Sequence, residues 1–402
     1  MDPAQPATPQ ELAEILRACA AERRPVTPLG AGLHQHLGAP PPAEAIPVRL
    51  TALGRIIAYA PADLTVTAET GVTLGALQEA LGRHGQWLPW DPPGGAGATI
   101  GGLLAAGRAG PLRLGYGVPR DWVLGMRVAL GDGRLVKSGG RVVKNVAGYD
   151  AHKLHIGALG TLGVIAEVTF KVAPLPEHTA ALAGPAESAA QALQVARALW
   201  QRPLSPVSLC VSDALPLAGE QAGAGRRWWL AARFAGVGPA VERQVREARL
   251  RAREVGLEAA ELDRERSEEL WREVAAFPQS DAGRPPEVVL RAGAPASAIV
   301  TLAEALERHA PPASHTLLYP GVGLAYARWP AHGQGLAGAL AALRQKLAGL
   351  QGYAVVEAAP PELRAQLDLW GPPPETIELM RRLKAAWDPA GILNPGRYVG
   401  GI

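Results

Sequence analysis

Three glycine-rich loops lie in the first half of this chain, and their order and spacing constrain its fold more than any other feature. The first is Pro28-Leu29-Gly30-Ala31-Gly32-Leu33-His34-Gln35-His36-Leu37-Gly38. The second is Asp91-Pro92-Pro93-Gly94-Gly95-Ala96-Gly97-Ala98-Thr99-Ile100-Gly101-Gly102, and the third is Gly157-Ala158-Leu159-Gly160-Thr161-Leu162-Gly163-Val164-Ile165. Glycine lets backbone N–H groups approach anionic oxygens, so a strand feeding a Gly-x-Gly loop suits a pyrophosphate. The doubly wound dinucleotide fold needs another glycine three positions on and a helix directly after it. Gln35 stands at that position and the loop runs into Pro40-Pro41-Pro42, which argues against that fold. Any one of these loops reads equally well as a structural turn. Three together point to a dinucleotide held in another way.

Periodicity and capping signals place elements around the loops. Thr8-Pro9-Gln10-Glu11 reads as a capped helix start, with the helix running to about residue 23. Strands are expected over 25–29, 56–60 and 65–69. Thr73 opens an amphipathic helix through Leu74, Leu77 and Leu81 that Gly85 ends. Strands 123–130 and 135–137 flank Gly131-Asp132-Gly133 as a hairpin, and 164–172 reads as a further strand. Beyond residue 175 the composition shifts. Ala- and Arg-rich helices (187–201, 240–254, 296–309, 335–350) alternate with strands 207–211, 228–234, 287–291 and 324–329, and a last helix spans 375–387. The expected fold class is α+β, divided into 1–175, 176–374 and 375–402. No internal repeat is visible in the sequence.

The ordered set Pro28-x-Gly30-x-Gly32, Ala62-Asp63-Leu64-Thr65-Val66-Thr67-Ala68-Glu69-Thr70-Gly71, Pro92-Pro93, Thr99-Ile100-Gly101-Gly102, Tyr116-Gly117, Arg120-Asp121 and Gly160-Thr161-Leu162-Gly163-Val164-Ile165 resembles the PCMH-type FAD domain of the vanillyl-alcohol-oxidase family. The resemblance covers about residues 11–174. Gly107-Arg108-Ala109-Gly110-Pro111 and Lys144-Asn145-Val146-Ala147-Gly148-Tyr149-Asp150 are similar to signatures of the glycolate oxidase group, in particular its FAD-binding subunits. Asp388-Pro389-Ala390-Gly391-Ile392-Leu393-Asn394-Pro395-Gly396-Arg397 resembles the tail that returns to the flavin in FAD-linked oxidases.

That resemblance implies a two-subdomain FAD-binding part followed by an α+β C-terminal domain. It implies backbone contacts to the FAD pyrophosphate from Pro28, Gly30, Ala31, Gly32, Leu33 and His34. Pro92, Pro93, Thr99, Ile100, Gly101 and Gly102 would shape the other wall. Asp121 belongs to the motif set, and Gly160, Thr161, Gly163 and Ile165 would hold the adenylate half. Asn394 and Arg397 would reach the flavin edge or a carboxylate. Some relatives attach flavin covalently through a histidine of the first loop. The aligned residue here is Leu33, so noncovalent FAD is expected, with His34 and His36 as ordinary loop histidines.

Relatives that oxidise 2-hydroxy acids carry His-x-Gly-Asp-Gly-Asn-x-His in the second domain. Here the matching stretch is Tyr319-Pro320-Gly321-Val322-Gly323-Leu324-Ala325-Tyr326, so imidazole and carboxylate ligands are replaced by groups that bind metals poorly. Leu159 replaces the glutamate usual before Gly-Thr. These departures leave no assignable catalytic residue and no metal site. They imply an FAD-carrying subunit that contributes to oxidation of glycolate to glyoxylate beside a paralogous catalytic flavin subunit and an iron–sulfur subunit. A self-sufficient FAD-dependent 2-hydroxy-acid dehydrogenase, a structural subunit without flavin and a different PCMH oxidase remain alternatives. Lys144 and Arg108 suit a phosphate or carboxylate as well as a solvated surface. Trp87, Trp90, Trp228, Trp229, Trp271 and Trp329 read as core or interface anchors.

Composition removes other classes. A formal charge of +3 with scattered arginines gives no case for nucleic acid. Two distant cysteines, Cys19 and Cys210, rule out a cysteine-ligated cluster within this chain. The first dozen residues lack a basic and apolar leader, and no apolar run reaches a membrane span, so a cytoplasmic location is expected, with membrane association only through partners.

Overall fold

The computed structural model describes residues 3–140, 148–201, 203–215, 228–279, 287–332 and 335–402. The motif residues 144–147 therefore lie outside the described residues.

Helix α1 (Pro9–Ala21) starts where its capping signal predicts. Thr8 Oγ1 accepts from the Glu11 amide at 3.1 Å, and Glu11 Oε2 accepts from the Ala7 amide at 2.9 Å. It leads into the parallel pair β1 (Val26–Leu29) and β2 (Ile46–Arg49). There follow β3 (Ile56–Ala60), β4 (Thr65–Glu69), α2 (Leu74–Gly82), β5 (Gln86–Trp87) and α3 (Ile100–Ala105). Two single-turn helices, α4 (Arg113–Tyr116) and α5 (Pro119–Trp122), precede β6 (Val123–Ala129), β7 (Leu135–Gly139), β8 (Val164–Lys171) and β9 (Ala173–Pro174). Among the described residues β3-β4-β8-β6-β7 form an antiparallel five-stranded sheet. Alternation along β8 serves both faces. Val164 and Ala166 pack towards α1 and β1, while Ile165 packs towards α2 and α3.

The second part contains β10 (His178–Ala186), α6 (Ala189–Leu199), β11 (Ser208–Ser212), β12 (Trp228–Gly236), α7 (Gly238–Glu254), β13 (Ala260–Leu262) and α8 (Arg264–Ala276). It continues through β14 (Glu287–Gly293), α9 (Ile299–His309), β15 (His315–Tyr319), β16 (Leu324–Pro330), α10 (Leu336–Ala348) and β17 (Tyr353–Ala358). The described strands make one eight-stranded sheet, ordered β13-β10-β12-β11-β15-β16-β14-β17. Read from either end the order is 4-1-3-2, so two βαββαβ units meet edge to edge through the antiparallel pair β11·β15. This repeat of structure carries no repeat of sequence, because only the apolar pattern needs to recur. Helices α6, α7, α9 and α10 cover one face, with Trp329 1% exposed among them. The opposite face carries Tyr319 and Tyr326 against α8.

The sequence reading omits β2, β5, β9, β10, β13, β15, β17, α4, α5, α8 and the short helix Pro361–Arg364. Strand β10, HTAALAGPA, is rich in alanine, which has little strand preference. Helix α8 is mostly charged and buries only Leu270, Trp271 and Val274. The expected helix over 296–309 begins as a 3₁₀ turn and is α-helical from Ile299.

After α11 (Pro361–Arg364) and α12 (Ile377–Trp387) the chain returns to its start. Asp388, 2% exposed, accepts from the Ile392 and Leu393 amides at 3.0 and 2.8 Å, and pairs with Lys384 Nζ at 2.8 Å. Its carboxylate thereby fixes the turn, and the tail pairs with β1: the Val26 amide donates to Ile392 O at 2.7 Å and the Asn394 amide to Val26 O at 3.0 Å. Replacing Asp388 with alanine leaves two amides without their acceptor and Lys384 without its counter-charge. Such a loss typically costs about 3–5 kcal/mol, and a fall in the urea midpoint without a change in m checks it.

Candidate functional site: a groove between the glycine loops

The first loop leaves β1 and runs along one wall of a groove enclosing about 500 Å³, including the solvent at its mouth. Pro28, Gly30, Ala31, Gly32, Leu33 and His34 line that wall, and Thr99 and Gly102 face them from the start of α3. Gly160, Asn394 and Arg397 complete the lining among the residues singled out from sequence. Thr99 caps α3 by accepting from the Gly102 amide at 3.4 Å. Gly30 lies so close to the Thr99 side chain that no Cβ fits there. Gly32 differs: its φ of +80° suits glycine, and the space where its Cβ would stand is open.

Other residues singled out from sequence lie elsewhere. Ile100 and Ile165 are core residues, 0% and 4% exposed. Gly101 abuts the side chain of Thr70, and Gly163 abuts Val128 and His155. Asp121 Oδ2 accepts from the Val118 amide at 2.9 Å, holding α5. Thr161 Oγ1 donates to Ala158 O at 2.8 Å. Pro92 and Pro93 are buried outside the groove lining. These residues shape the loops from behind. The groove also takes in Gln35, Ala98, Ala105, Ala106 and Leu159, which sequence reasoning did not select.

The tail closes the groove. Asn394 Nδ2 donates to Leu159 O at 2.7 Å, and the Leu159 amide donates to Ala105 O at 2.8 Å, which stabilises Leu159 at its positive φ of +52°. Asn394 Oδ1 is buried with no partner among the described residues. Arg397 donates through Nε to Leu37 O at 3.1 Å, through Nη1 to Gln35 Oε1 at 2.9 Å and through Nη2 to Gln35 O at 3.1 Å. Its guanidinium is thus bonded to the first loop. Burial, reinforced by Arg364, lowers its pKa to about 10.

His34, 7% exposed, has both ring nitrogens unpartnered among the described residues. Burial, then Arg108 and His36, push its pKa down to about 3, and burial with Arg108 pushes His36 to about 4. Both are neutral at neutral pH. Beyond them, Arg108 Nη1 lies 2.5 Å from Glu357 Oε2, joining α3's trailing loop to β17. Arg291 Nε of β14 lies 2.9 Å from Glu357 Oε1. Burial pushes the Glu357 carboxyl up, but the two arginines outweigh it and hold it below the usual range. A signal for these residues exists in the sequence: a charge flanked by apolar residues inside a strand, as Glu357 in YAVVEA and Arg291 in EVVLRAG, calls for a partner.

Comparison with known proteins matches this arrangement. Residues 4–139 match the model of the FAD binding domain, and residues 372–398 match that of the FAD linked oxidases' C-terminal domain. These two regions, together less than half of the chain, are similar to the FAD-linked oxidases. Similar proteins include glycolate oxidase subunit GlcE of Escherichia coli (strain K12), 38% identical over 51% of this chain and 58% of that protein. Glycolate oxidase subunit GlcD of Bacillus subtilis (strain 168) is 34% identical over 43% of this chain and 37% of its own. D-lactate dehydrogenase of Anaerostipes hadrus is 34% identical over 50% of this chain and 42% of its own. The chain thus matches about half of these relatives' length or less. An alkyldihydroxyacetonephosphate synthase structure shares the fold, with a TM-score of 0.69 at 15% identity over 97% of this chain and 75% of that one. The match to the FAD binding domain supports FAD as the cofactor, and the groove fits it. The open cradle at Gly32, the amides of the first loop and the unpartnered Asn394 Oδ1 and His34 nitrogens offer what a pyrophosphate and a polar ring system need.

Two outcomes follow for the groove. Gly32→Ala places a methyl group at its mouth and costs about 1–2 kcal/mol of backbone strain. The purified variant is expected to retain less than a tenth of the wild-type FAD at equal dilution, with an unchanged far-UV spectrum. In the flavin-free chain, His34, His36 and His155 (the last pushed to about 4 by burial) take up protons when unfolded but not when folded. Their stabilisation is complete above pH 6.5 and is lost as pH falls towards 4, at up to about 1.4 kcal/mol per pH unit for each. Unfolding free energies across that range check this, and the His34→Gln/His36→Gln double variant flattens the slope.

Proposed function

We propose that the chain is the noncovalent FAD-carrying subunit of a complex oxidising glycolate to glyoxylate, working beside a paralogous catalytic flavin subunit and an iron–sulfur subunit. Support for a glycolate-oxidising setting comes from the GlcE and GlcD relatives. The observation that carries the accessory role is the state of Tyr319 and Tyr326. They stand where 2-hydroxy-acid oxidases carry histidines, and each is 3% exposed in an apolar cluster with Leu270, Trp271, Val274 and Phe277. Their rings meet edge to face, with centroids 6.2 Å apart. Burial raises the Tyr319 hydroxyl well above its ordinary pKa, so it stays protonated and is a poor ligand or base.

In this reading residues 1–175 hold the cofactor, 176–374 form the face towards substrate or partner, and 375–402 seal the groove. Bound FAD supplies electron transfer at its ring system. The first loop and the start of α3 bind its pyrophosphate, Arg397 fixes the loop, and β14, β16 and β17 exclude water from the far side. No helix among the described residues is long and apolar enough to cross a membrane. We place the chain in the cytoplasm, at a membrane only through its partners.

The visible spectrum of the purified chain, before and after acid precipitation and after anaerobic glycolate, tests this reading. Yellow colour released by acid and not bleached by glycolate alone is the expected result. Bleaching by glycolate would replace the accessory subunit with a self-sufficient dehydrogenase. A colourless chain that FAD cannot reconstitute would leave a structural subunit.

A further inference from the structure

The first glycine loop does little to fasten itself. Between Gly30 and Ala39 the described backbone makes one hydrogen bond within the loop, from the Leu37 amide to His34 O at 3.3 Å. The other fastenings come from the far end of the chain. Arg397 donates to Leu37 O and to Gln35, and the Ala39 amide donates to Arg397 O at 3.1 Å. Trp370 Nε1 donates to the same Arg397 O at 3.3 Å, and Arg364 of α11 donates to Gly38 O. One carbonyl, that of Arg397, thus joins the loop, the tail and the segment that follows α11.

Where the tail meets the groove the backbone is strained. Leu159 has a φ of +52° and Asn394 a φ of +41°, and both residues line the groove. Asparagine visits left-handed backbone readily, whereas leucine does not. Leu159 is kept there from two sides: its amide donates to Ala105 O, and its carbonyl accepts from Asn394 Nδ2. Residues held in this way persist only where their surroundings fix them, and they gather at moving parts. Leu159 also lines a second cavity, beside Arg120, Trp370 and Tyr398, so a shift of its backbone changes the boundary between the two spaces.

We propose that residues 394–398 form a strap that gates the groove: FAD enters and leaves while the strap is lifted from the first loop, and Leu159 relaxes as it lifts. The root of the strap is firm, because Asp388 and the core hold Ile392 and Leu393. Its outer part is held by a few separate bonds and not by a strand ladder, so it can open without the five-stranded sheet opening. Burial works against the charge of Arg397, which keeps the closed strap from being locked. Release of Arg397 frees Gln35 and Leu37 together, and with them the wall that the loop presents to the groove. The identity of the gated ligand rests on the reading above; the strap itself rests on the geometry alone.

The rates of FAD binding to the flavin-free full chain and of FAD loss on dilution test this. Arg364→Met is the sharper variant, because Arg364 touches the loop but does not line the groove. In Arg364→Met and in Arg397→Met both rates are expected to rise at least tenfold, with Kd changing less than either rate. A rise in the loss rate alone would mean that these side chains only hold bound FAD, and it overturns the proposal, as do two unchanged rates. Hydrogen exchange of the wild-type chain gives a second readout that needs no variant to fold. The amides of Ala39 and Arg397 are expected to exchange together, earlier than those of the β4·β8 pairing, and more slowly once FAD is bound. Exchange of these amides only together with that pairing overturns the strap. If the chain takes up no FAD, the functional reading fails by itself, and hydrogen exchange of the flavin-free chain still decides whether the strap opens.

Discussion

The buried carboxylate of Asp388 holds the two ends of this chain together. It fixes the turn that carries Ile392 and Leu393 back to β1, and Lys384, paired with it, also donates to Thr161 O and Leu393 O at 2.8 and 2.7 Å. Arg397 then reaches Leu37 and Gln35. Bringing such distant segments together costs loop-closure entropy, though that cost grows only slowly with length. Burial of Ile392 and Leu393 in the core formed by α1 and β1 offsets it. The groove wall is therefore a property of the whole chain and not of the first loop alone.

The second dependence is on the sheet that faces the groove. Its two βαββαβ units are alike in order but not in what they carry. The second unit presents Arg291, Arg328 and Glu357, of which Arg328 is bonded to Phe277 O and Gln279 O at 2.8 and 3.0 Å. The first unit is tied to the FAD-binding part by Arg233 and Asp91, 2.7 Å apart. Burial raises the Asp91 carboxyl, while Arg233 and the Leu112 amide oppose that shift. Both units are thus tied to the FAD-binding part by buried or part-buried ion pairs, Asp91 with Arg233 and Arg108 with Glu357.

Local signals in the sequence located what depends on local physics. The Thr8 and Thr73 caps, strands 56–60 and 65–69, the hairpin around Gly131-Asp132-Gly133 and the first glycine loop all follow from short-range chemistry. Alanine-rich β10 was hidden because its strand character comes from its neighbours β12 and β13. Within the site, glycine marked where backbone comes close but not which side of the loop opens on the groove. Gly32 faces open space, whereas Gly101 packs on Thr70. Arg108, Arg291 and Glu357 are 66 to 249 positions apart in pairs, and only the assembled sheet brings them together.

The return of the tail also sets an order of events during synthesis. Domains fold as the chain emerges, N-terminal regions first, yet the arginine that secures the first loop is made 360 positions after Leu37, and the strand partner of Val26 comes nearly as late. A nascent chain can build the five-stranded sheet, but its groove stays unfinished until residues 392–397 leave the ribosome. A chain that stops short of these residues is therefore marked by an open first loop and an exposed β1 edge.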